Sequence, residues 1–273
     1  MRRSAQLRSA AVPSTSSGLA SAAVGAGVSP ARLRERDTLA TAGGTRALQF
    51  PFRPLPRSFF ARNPRRVARE LLGKVLIRDS GKLLLAARIV EVEAYLGEND
   101  PAAHAAVGNT ARNSVLFGPP GFAYVYFIYG NHYCLNVSCE REGKAGSVLF
   151  RALEPLQGIE EMARARNIAL PDSGDLSQSD LSQSHLRRLT SGPGRLAEAF
   201  GITRARDNGC DLTSPASTLW IADDSLRASR IQITPRVGIT KAADEPLRFF
   251  LAGNAFVSGR KKLDQRLKAR LWI

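Results

Sequence analysis

Residues 122–139 read FAYVYFIYGNHYCLNVSC, the strongest run of aromatic and β-branched residues in the chain. Gly130-Asn131 divides the run, and such a pair tolerates the positive φ of a tight turn, so the stretch predicts a β-hairpin. Side chains alternate along a strand. Tyr124, Tyr126 and Ile128 therefore point one way, and Val125, Phe127 and Tyr129 the other. Tyr129 abuts the turn, where a core covers it poorly. An exposed aromatic at a hairpin tip can wedge between stacked bases; the same rings also suit a belt packed on neighbouring strands. Cys134 and Cys139 on the second strand suit packing as small apolar residues.

Outward from the hairpin, further strands are expected. KVLIRD (74–79) and LLLAARIVEVEAYL (83–96) form a pair joined through Ser80-Gly81. SVLFRALE (147–154), STLWIADD (217–224), RIQITPRVGI (230–239) and PLRFFLAG (246–253) complete the set. Three helices are expected. One follows Asn63-Pro64, with Asn63 as N-cap, Gly73 at the C′ position and Val67, Ala68, Leu71 and Leu72 buried. PLQGIEEMARAR (155–166) is the second. SGPGRLAEAFG (191–201) is the third, opened by Ser191 and closed by Gly201. The tandem DLSQS-DLSQS (175–184) predicts a polar loop. Strands outnumber helices and connections are short, which indicates an α+β fold with a largely antiparallel sheet.

The charge balance is lopsided: 39 Lys+Arg face 24 Asp+Glu, a net charge of +15. A polyanion partner follows, unless the chain merely comes from an Arg-rich proteome. The first 57 residues hold nine Arg and no Lys against Glu35 and Asp37, with few large apolar residues. They predict a disordered basic tail, residues 1–57, ahead of a folded body over 58–273 whose last segment, 259–273, is a basic extension. The tail's composition fits an organellar transit peptide, a loose DNA tether or a start codon placed too early. No apolar run follows Arg2 and Arg3, which argues against a secretory signal. No stretch approaches 18 uncharged apolar residues, so no transmembrane helix is expected. Three Cys with no CxxC pair and three scattered His predict no disulfide framework and no metal site.

Period-two alternation puts Glu91, Glu93 and Tyr95 on one face of their strand and Val90, Val92 and Ala94 on the other. A glutamate beside a tyrosine near a strand end is a candidate base with a stacking partner; two adjacent glutamates equally suit a solvated outer face. His104 lies in a small-residue loop and reads as a hydrogen-bonded loop residue or a catalyst. Ser191-Gly192-Pro193 with Arg195 suits an ordinary cap or a phosphate grip. No Walker loop, GxGxxG or Ser-His-Asp order is present.

In combination these pieces are more specific. RIVEVEAYLGENDPAAH, ARNSVLFGPPGFAYVYFIYGNHYCLNVSCE, SVLFRALEPLQGIEEM and TSGPGRLAEAFGI, in this order, closely resemble the alkyladenine (3-methyladenine) DNA glycosylase family, over residues 58–258. The resemblance implies a single mixed domain with a curved, mostly antiparallel sheet and a protruding β-hairpin. It implies Glu93 as the glutamate that activates the attacking water and Arg151 as the arginine that helps hold it. Tyr95, His104 and Tyr126 match the walls around a flipped base, Asn136 the pocket floor, and Tyr129 the residue that fills the gap left in the duplex.

The implied activity is base excision repair: alkylated or deaminated purines (3-methyladenine, 7-methylguanine, hypoxanthine, etheno-adenine) are extruded from double-stranded DNA and the N-glycosidic bond is hydrolysed. No lysine lies in these motifs to form a Schiff base, so a monofunctional glycosylase with no metal and no cofactor is expected, acting as a monomer. High Ala and Arg content points to a bacterial cytoplasm and nucleoid; the tail leaves organelle import open. The competing reading is a non-catalytic nucleic-acid-binding domain, similar to the C-terminal domain of methionyl-tRNA formyltransferase; a small-molecule hydrolase lacks a nucleophile motif.

Overall fold

Nine strands among the described residues pair antiparallel into one curved sheet, with helices few and short. The computed structural model describes residues 52–128, 130–170, 183–228 and 230–259. In chain order the elements are β1 (Arg53–Pro54), α1 (Arg57–Phe60), α2 (Pro64–Leu71), β2 (Val75–Asp79), β3 (Leu84–Tyr95), β4 (Ala123–Ile128) and β5 (His132–Ser138). They continue with β6 (Ser147–Gln157), α3 (Ile159–Ala165), α4 (Gln183–Thr190), α5 (Pro193–Ala199), α6 (Arg204–Asp207), β7 (Leu219–Asp223), β8 (Ile231–Thr234) and β9 (Arg248–Leu251). The sheet runs β1-β7-β2-β3-β6-β5-β4, with β9 joined to β3 and β8 to β9.

Strand β3 organises the molecule. One of its edges pairs with β6 along Ala86–Tyr95. The other is shared: β2 takes Leu84–Arg88 and β9 takes Glu91–Glu93. Leu85, Ala87 and Ile89 face the main core, and so do Val92 and Ala94. The step from 89 to 92 breaks the period of two, because the β3–β6 register slips between Ile89 and Glu91 and slips back before Val92. Val90 and Arg151 are the unpaired residues of these two bulges. A bulge re-aims side chains at a local cost in pairing. Without it, Glu91 and Glu93 would share the face of Ile89 and enter the apolar core. Val90 was expected to share the face of Val92 and Ala94; the bulge instead places it with Ala152 and Phe256 in a separate cluster.

The face carrying Val92, Val125, Leu135, Val137, Val148 and Phe150 is apolar and packs against Val67, Ala68 and Leu71 of α2, Met162 of α3 and Leu196 of α5. Phe150 is fully buried; truncating such a ring typically costs about 3–5 kcal/mol. α2 has the expected caps: Asn63 accepts from Arg65 N–H, Pro64 occupies the first helical position, and Gly73 takes φ 87°.

Several boundaries differ from expectation. The folded body starts before residue 58: β1 pairs with β7, and Leu55 is buried with its N–H on Ile221 O. Pro155–Gln157 extend β6 rather than open α3, since Pro155 sits beside a bulge that leaves Leu156 unpaired, a position where proline's missing donor is tolerated. Gly192, not Ser191, is the N-cap residue of α5. β8 ends at Thr234, so Pro235–Ile239 is a loop. α4 and α6 are short, weakly patterned helices that local sequence did not announce. Residues 1–51, most of the DLSQS tandem, Tyr129 and 260–273 lie outside the described residues.

Candidate active site

At the turn of the hairpin Asn131 N–H donates to Ile128 O, and Gly130 takes φ 74°. Tyr126 pairs with Cys134 and Tyr124 with Asn136. The alternation is as read from sequence. Tyr124, Tyr126 and Ile128 line a cavity of about 410 Å³, Val125 enters the core, and Phe127 is 46% exposed on the outer side, against Tyr133.

Tyr126 stacks on Tyr124 with ring centroids 5.5 Å apart, and His104 meets Tyr126 at 4.4 Å. His104 Nδ1 shares a 2.9 Å hydrogen bond with Tyr124 Oη. The loop that carries His104 is fixed by Asn113, whose amide donates to the carbonyls of His104 and Gly108. Burial, with Arg112 adding to it, lowers the His104 pKa and favours the neutral ring. Tyr95 also lines the cavity, and the Arg236 guanidinium lies 4.7 Å from its ring centroid, held by a bidentate pair with Asp100. Gly97 follows at φ 87°; a Cβ there would lie 2.1 Å from Ala145 O, so only glycine lets the chain turn from β3 into the His104 loop.

Asn136 of β5, 5% exposed, lines the cavity at the base of the hairpin. Its amide donates to Ser147 Oγ at 3.0 Å, and its Oδ1 is buried with no partner among the described residues. A stranded buried acceptor costs about 1–3 kcal/mol and marks a place where a ligand donor is wanted.

Beneath the cavity the two glutamates are fully buried, which removes the solvated-face reading. They do different things. Glu91 Oε1 accepts from Arg151 Nε (3.0 Å), Arg248 Nε (2.7 Å) and Ser258 Oγ (2.8 Å), and Oε2 from Ser258 N–H (2.6 Å). Glu93 Oε1 accepts from Val237 N–H at 2.8 Å and faces Arg151 Nη1 at 3.1 Å, while Oε2 accepts from Tyr95 O–H at 3.0 Å. All three of these partners, Val237, Arg151 and Tyr95, are cavity-wall residues. Burial pushes the Glu93 pKa up, and the Arg151 charge with the Val237 and Tyr95 donors pulls it only part of the way back. Burial and the neighbouring Glu93 push the Tyr95 hydroxyl well above the usual phenol range, and burial does the same for Tyr126, so both rings stay neutral.

The structure thus brings Glu93, Arg151, Tyr95, His104, Tyr126 and Asn136 to one cavity and its floor. Sequence reasoning missed Val237, Asp100, Arg236, Arg248 and Ser258, which come from loops and a strand distant in the chain. It also missed how closely α5 approaches: Gly192–Arg195 form part of the cavity mouth, and a Cβ on Gly194 would lie 2.9 Å from His132 Cγ. Among the described residues no group of three or more His, Cys, Asp or Glu side chains is placed to hold a metal ion. No helix among them is long and apolar enough to cross a membrane.

Comparison with known proteins agrees with this geometry. The sequence model of the family described as methylpurine-DNA glycosylase matches residues 58–255. A protein of Koribacter versatilis, named provisionally as a 3-methyladenine DNA glycosylase, is 60% identical over 210 residues, covering 77% of this chain and 95% of its own. Relatives with the same name from Rhodopseudomonas palustris (49% identical; 75% of this chain, 90% of its own) and Alkaliphilus oremlandii (41%; 75% and 98%) match over a similar extent. The family match spans β2 to β9, the hairpin among them, and every residue lining the cavity, and the chain belongs to the methylpurine-DNA glycosylase family, hydrolases of N-glycosyl bonds.

Proposed function

We propose that this protein removes alkylated or deaminated purines from double-stranded DNA in base excision repair, with 3-methyladenine, 7-methylguanine, hypoxanthine and etheno-adenine as the substrate set. A base within the duplex hides its glycosidic bond, so the nucleotide must be turned out into a pocket. The observation that carries the reading is an aromatic cavity with a buried carboxylate beneath it, hydrogen-bonded to Val237 and Tyr95 of its wall and ion-paired with Arg151. A volume of about 410 Å³ suits a small planar ligand. Tyr95, His104 and Tyr126 sandwich the base, and the neutral, electron-rich rings attract the positive charge of alkylated purines. That charge also makes the base a good leaving group. Glu93 takes a proton from water as it attacks the sugar carbon, Arg151 holds that water, and Asn136 reads the base edge. Tyr129, which lies outside the described residues, takes the role of filling the vacated stack.

No lysine is among the described cavity-lining residues, which supports hydrolysis without a Schiff base and without strand cleavage. The protein acts as a monomer on chromosomal DNA, with the relatives' bacterial origin favouring the nucleoid. The catalytic body follows residue 51, and the flanking basic segments 1–51 and 260–273 add phosphate affinity. The test uses a duplex oligonucleotide with one hypoxanthine or one etheno-adenine. Release of free base with an intact strand is the expected result; binding without release selects a non-catalytic DNA-binding module instead.

A further inference from the structure

Two glutamates and two arginines are packed together under the cavity, and only one of the four, Arg151, is shared between both carboxylates. Its Nε goes to Glu91 and its Nη1 edge to Glu93. Glu91 in turn is shared between Arg151 and Arg248, and Arg248 is anchored by Thr234 Oγ1, by Ser258 O and by the ring of Phe250. All four side chains are buried: Glu91 and Glu93 fully, Arg248 at 1% and Arg151 at 8% residue exposure. At such low exposure the solvent screens little, and each charge is felt by the others.

We propose that Glu91, held between Arg151 and Arg248, is a positioning residue that sets how much of the Arg151 charge reaches Glu93, and so how strong a base Glu93 is. The inference rests on the reading of Glu93 as the base. The geometry gives the logic. A base salt-bridged to an arginine of its own would be held as a weakly basic carboxylate. Here Glu91 takes the Nε edge of that arginine and lowers the pull on Glu93, while Arg248 and Ser258 hold Glu91 in place. The other groups around Glu93 are Tyr95 on β3, Cys134 on β5, and Arg236 and the Val237 N–H from the 235–239 loop. The like charge of Glu91 adds to the upward displacement of the Glu93 pKa, in agreement with the arrangement.

Two variants of the full-length chain move the base in opposite directions. Glu91→Gln removes the like charge and leaves Arg151 to Glu93 alone. The acid limb of single-turnover excision, read on a duplex with one hypoxanthine, should move to lower pH. The plateau rate should fall by about tenfold, a part of the 10²–10⁴-fold that general-base assistance supplies. Arg248→Gln withdraws a cation from the cluster and should move the limb to higher pH. If Glu91→Gln does not fold, Arg248→Gln still decides the sign. A limb that stays put in a folded variant, or that moves against these signs, overturns the inference and leaves Glu91 a structural anchor. Glu93→Gln is the control: retained excision there would overturn the assignment of the base itself, whereas lost excision with an unmoved limb in Glu91→Gln overturns only the present proposal.

Discussion

The cavity floor and the hairpin wall are built on opposite plans. On the floor, at the β3–β6 bulges, charged side chains are fully buried and nearly every polar atom is matched: Glu91 alone takes four donors. On the wall, β4 presents Tyr124 and Tyr126 ring to ring, and at its base Asn136 of β5 keeps one buried oxygen without a partner among the described residues. Matched charge in a dry setting fixes geometry before the substrate arrives, which suits chemistry. Flat rings with a single unmet acceptor suit recognition, because the energy of that acceptor is recovered only when a ligand brings a donor. The difference predicts that floor substitutions change rate for every substrate, and wall substitutions change the ratio between substrates.

The largest test is Glu93→Gln. The amide is nearly isosteric but cannot take a proton from water, so single-turnover excision should drop by about 10²–10⁴-fold on all substrates. Rates within threefold of the wild-type protein would remove Glu93 from the chemistry and dissolve the floor's role.

Asn136→Ala probes the base of the wall. Guanine carries an exocyclic 2-amino group that hypoxanthine lacks, and a steric clash with the carboxamide that keeps this group out of hydrogen-bonding geometry with Oδ1 costs about 1–3 kcal/mol, or roughly five- to 150-fold in rate. The ratio of hypoxanthine to mismatched-guanine excision should fall by that factor in the variant. Equal losses on both bases would make Asn136 a support of the pocket through Ser147, and the wall no different from the floor.

Gly97→Ala tests the joint between the two regions, where β3 hands over to the His104 loop. A Cβ at φ 87° and 2.1 Å from Ala145 O has no room. The loss should exceed about 1 kcal/mol, a fall in Tm of at least about 2–4 °C for a domain of this size. An unchanged melting curve would show that the loop is free to shift and that the cavity is not held by this contact.

The pH profile separates the regions by the smallest displacement. Glu93 must be ionised to act, and its pKa is raised, so activity should be lost on acidification at a pH above the ordinary glutamate value of about 4.3. Tyr95 and Tyr126 are shifted upward too, away from neutrality, so the wall should contribute no alkaline limb near neutral pH. An acid limb at or below the ordinary value would mean that the three donors outweigh burial at Glu93.

Local pattern made the hairpin, α2 with its caps and the long β3 strand legible, because alternation, capping chemistry and turn glycines are written in consecutive residues. The side of the hairpin that lines the cavity could be read the same way: Tyr124, Tyr126 and Ile128 follow from period two and a known starting parity. The order of motifs carried the family, and the residues it singled out other than Tyr129 meet at one cavity or directly beneath it. What local pattern missed is where periodicity is broken or absent. Val90 changed face at a bulge, Pro155 continued a strand, α4 begins within the polar DLSQS tandem that reads as a loop, and α6 has only four residues.

The sequence by itself indicated that two glutamates, Glu91 and Glu93, would share a strand face next to Tyr95, since residues two apart on a pleated strand point the same way. Which glutamate is an anchor and which meets the cavity was decided only by the tertiary structure. That choice depends on Arg151 from β6, Arg248 from β9, Ser258 beyond it and the Val237 N–H from a loop, brought within about 3 Å by sheet pairing. A buried carboxylate takes its role from the donors around it, and donors from four separate segments leave no trace in the spacing of any one of them.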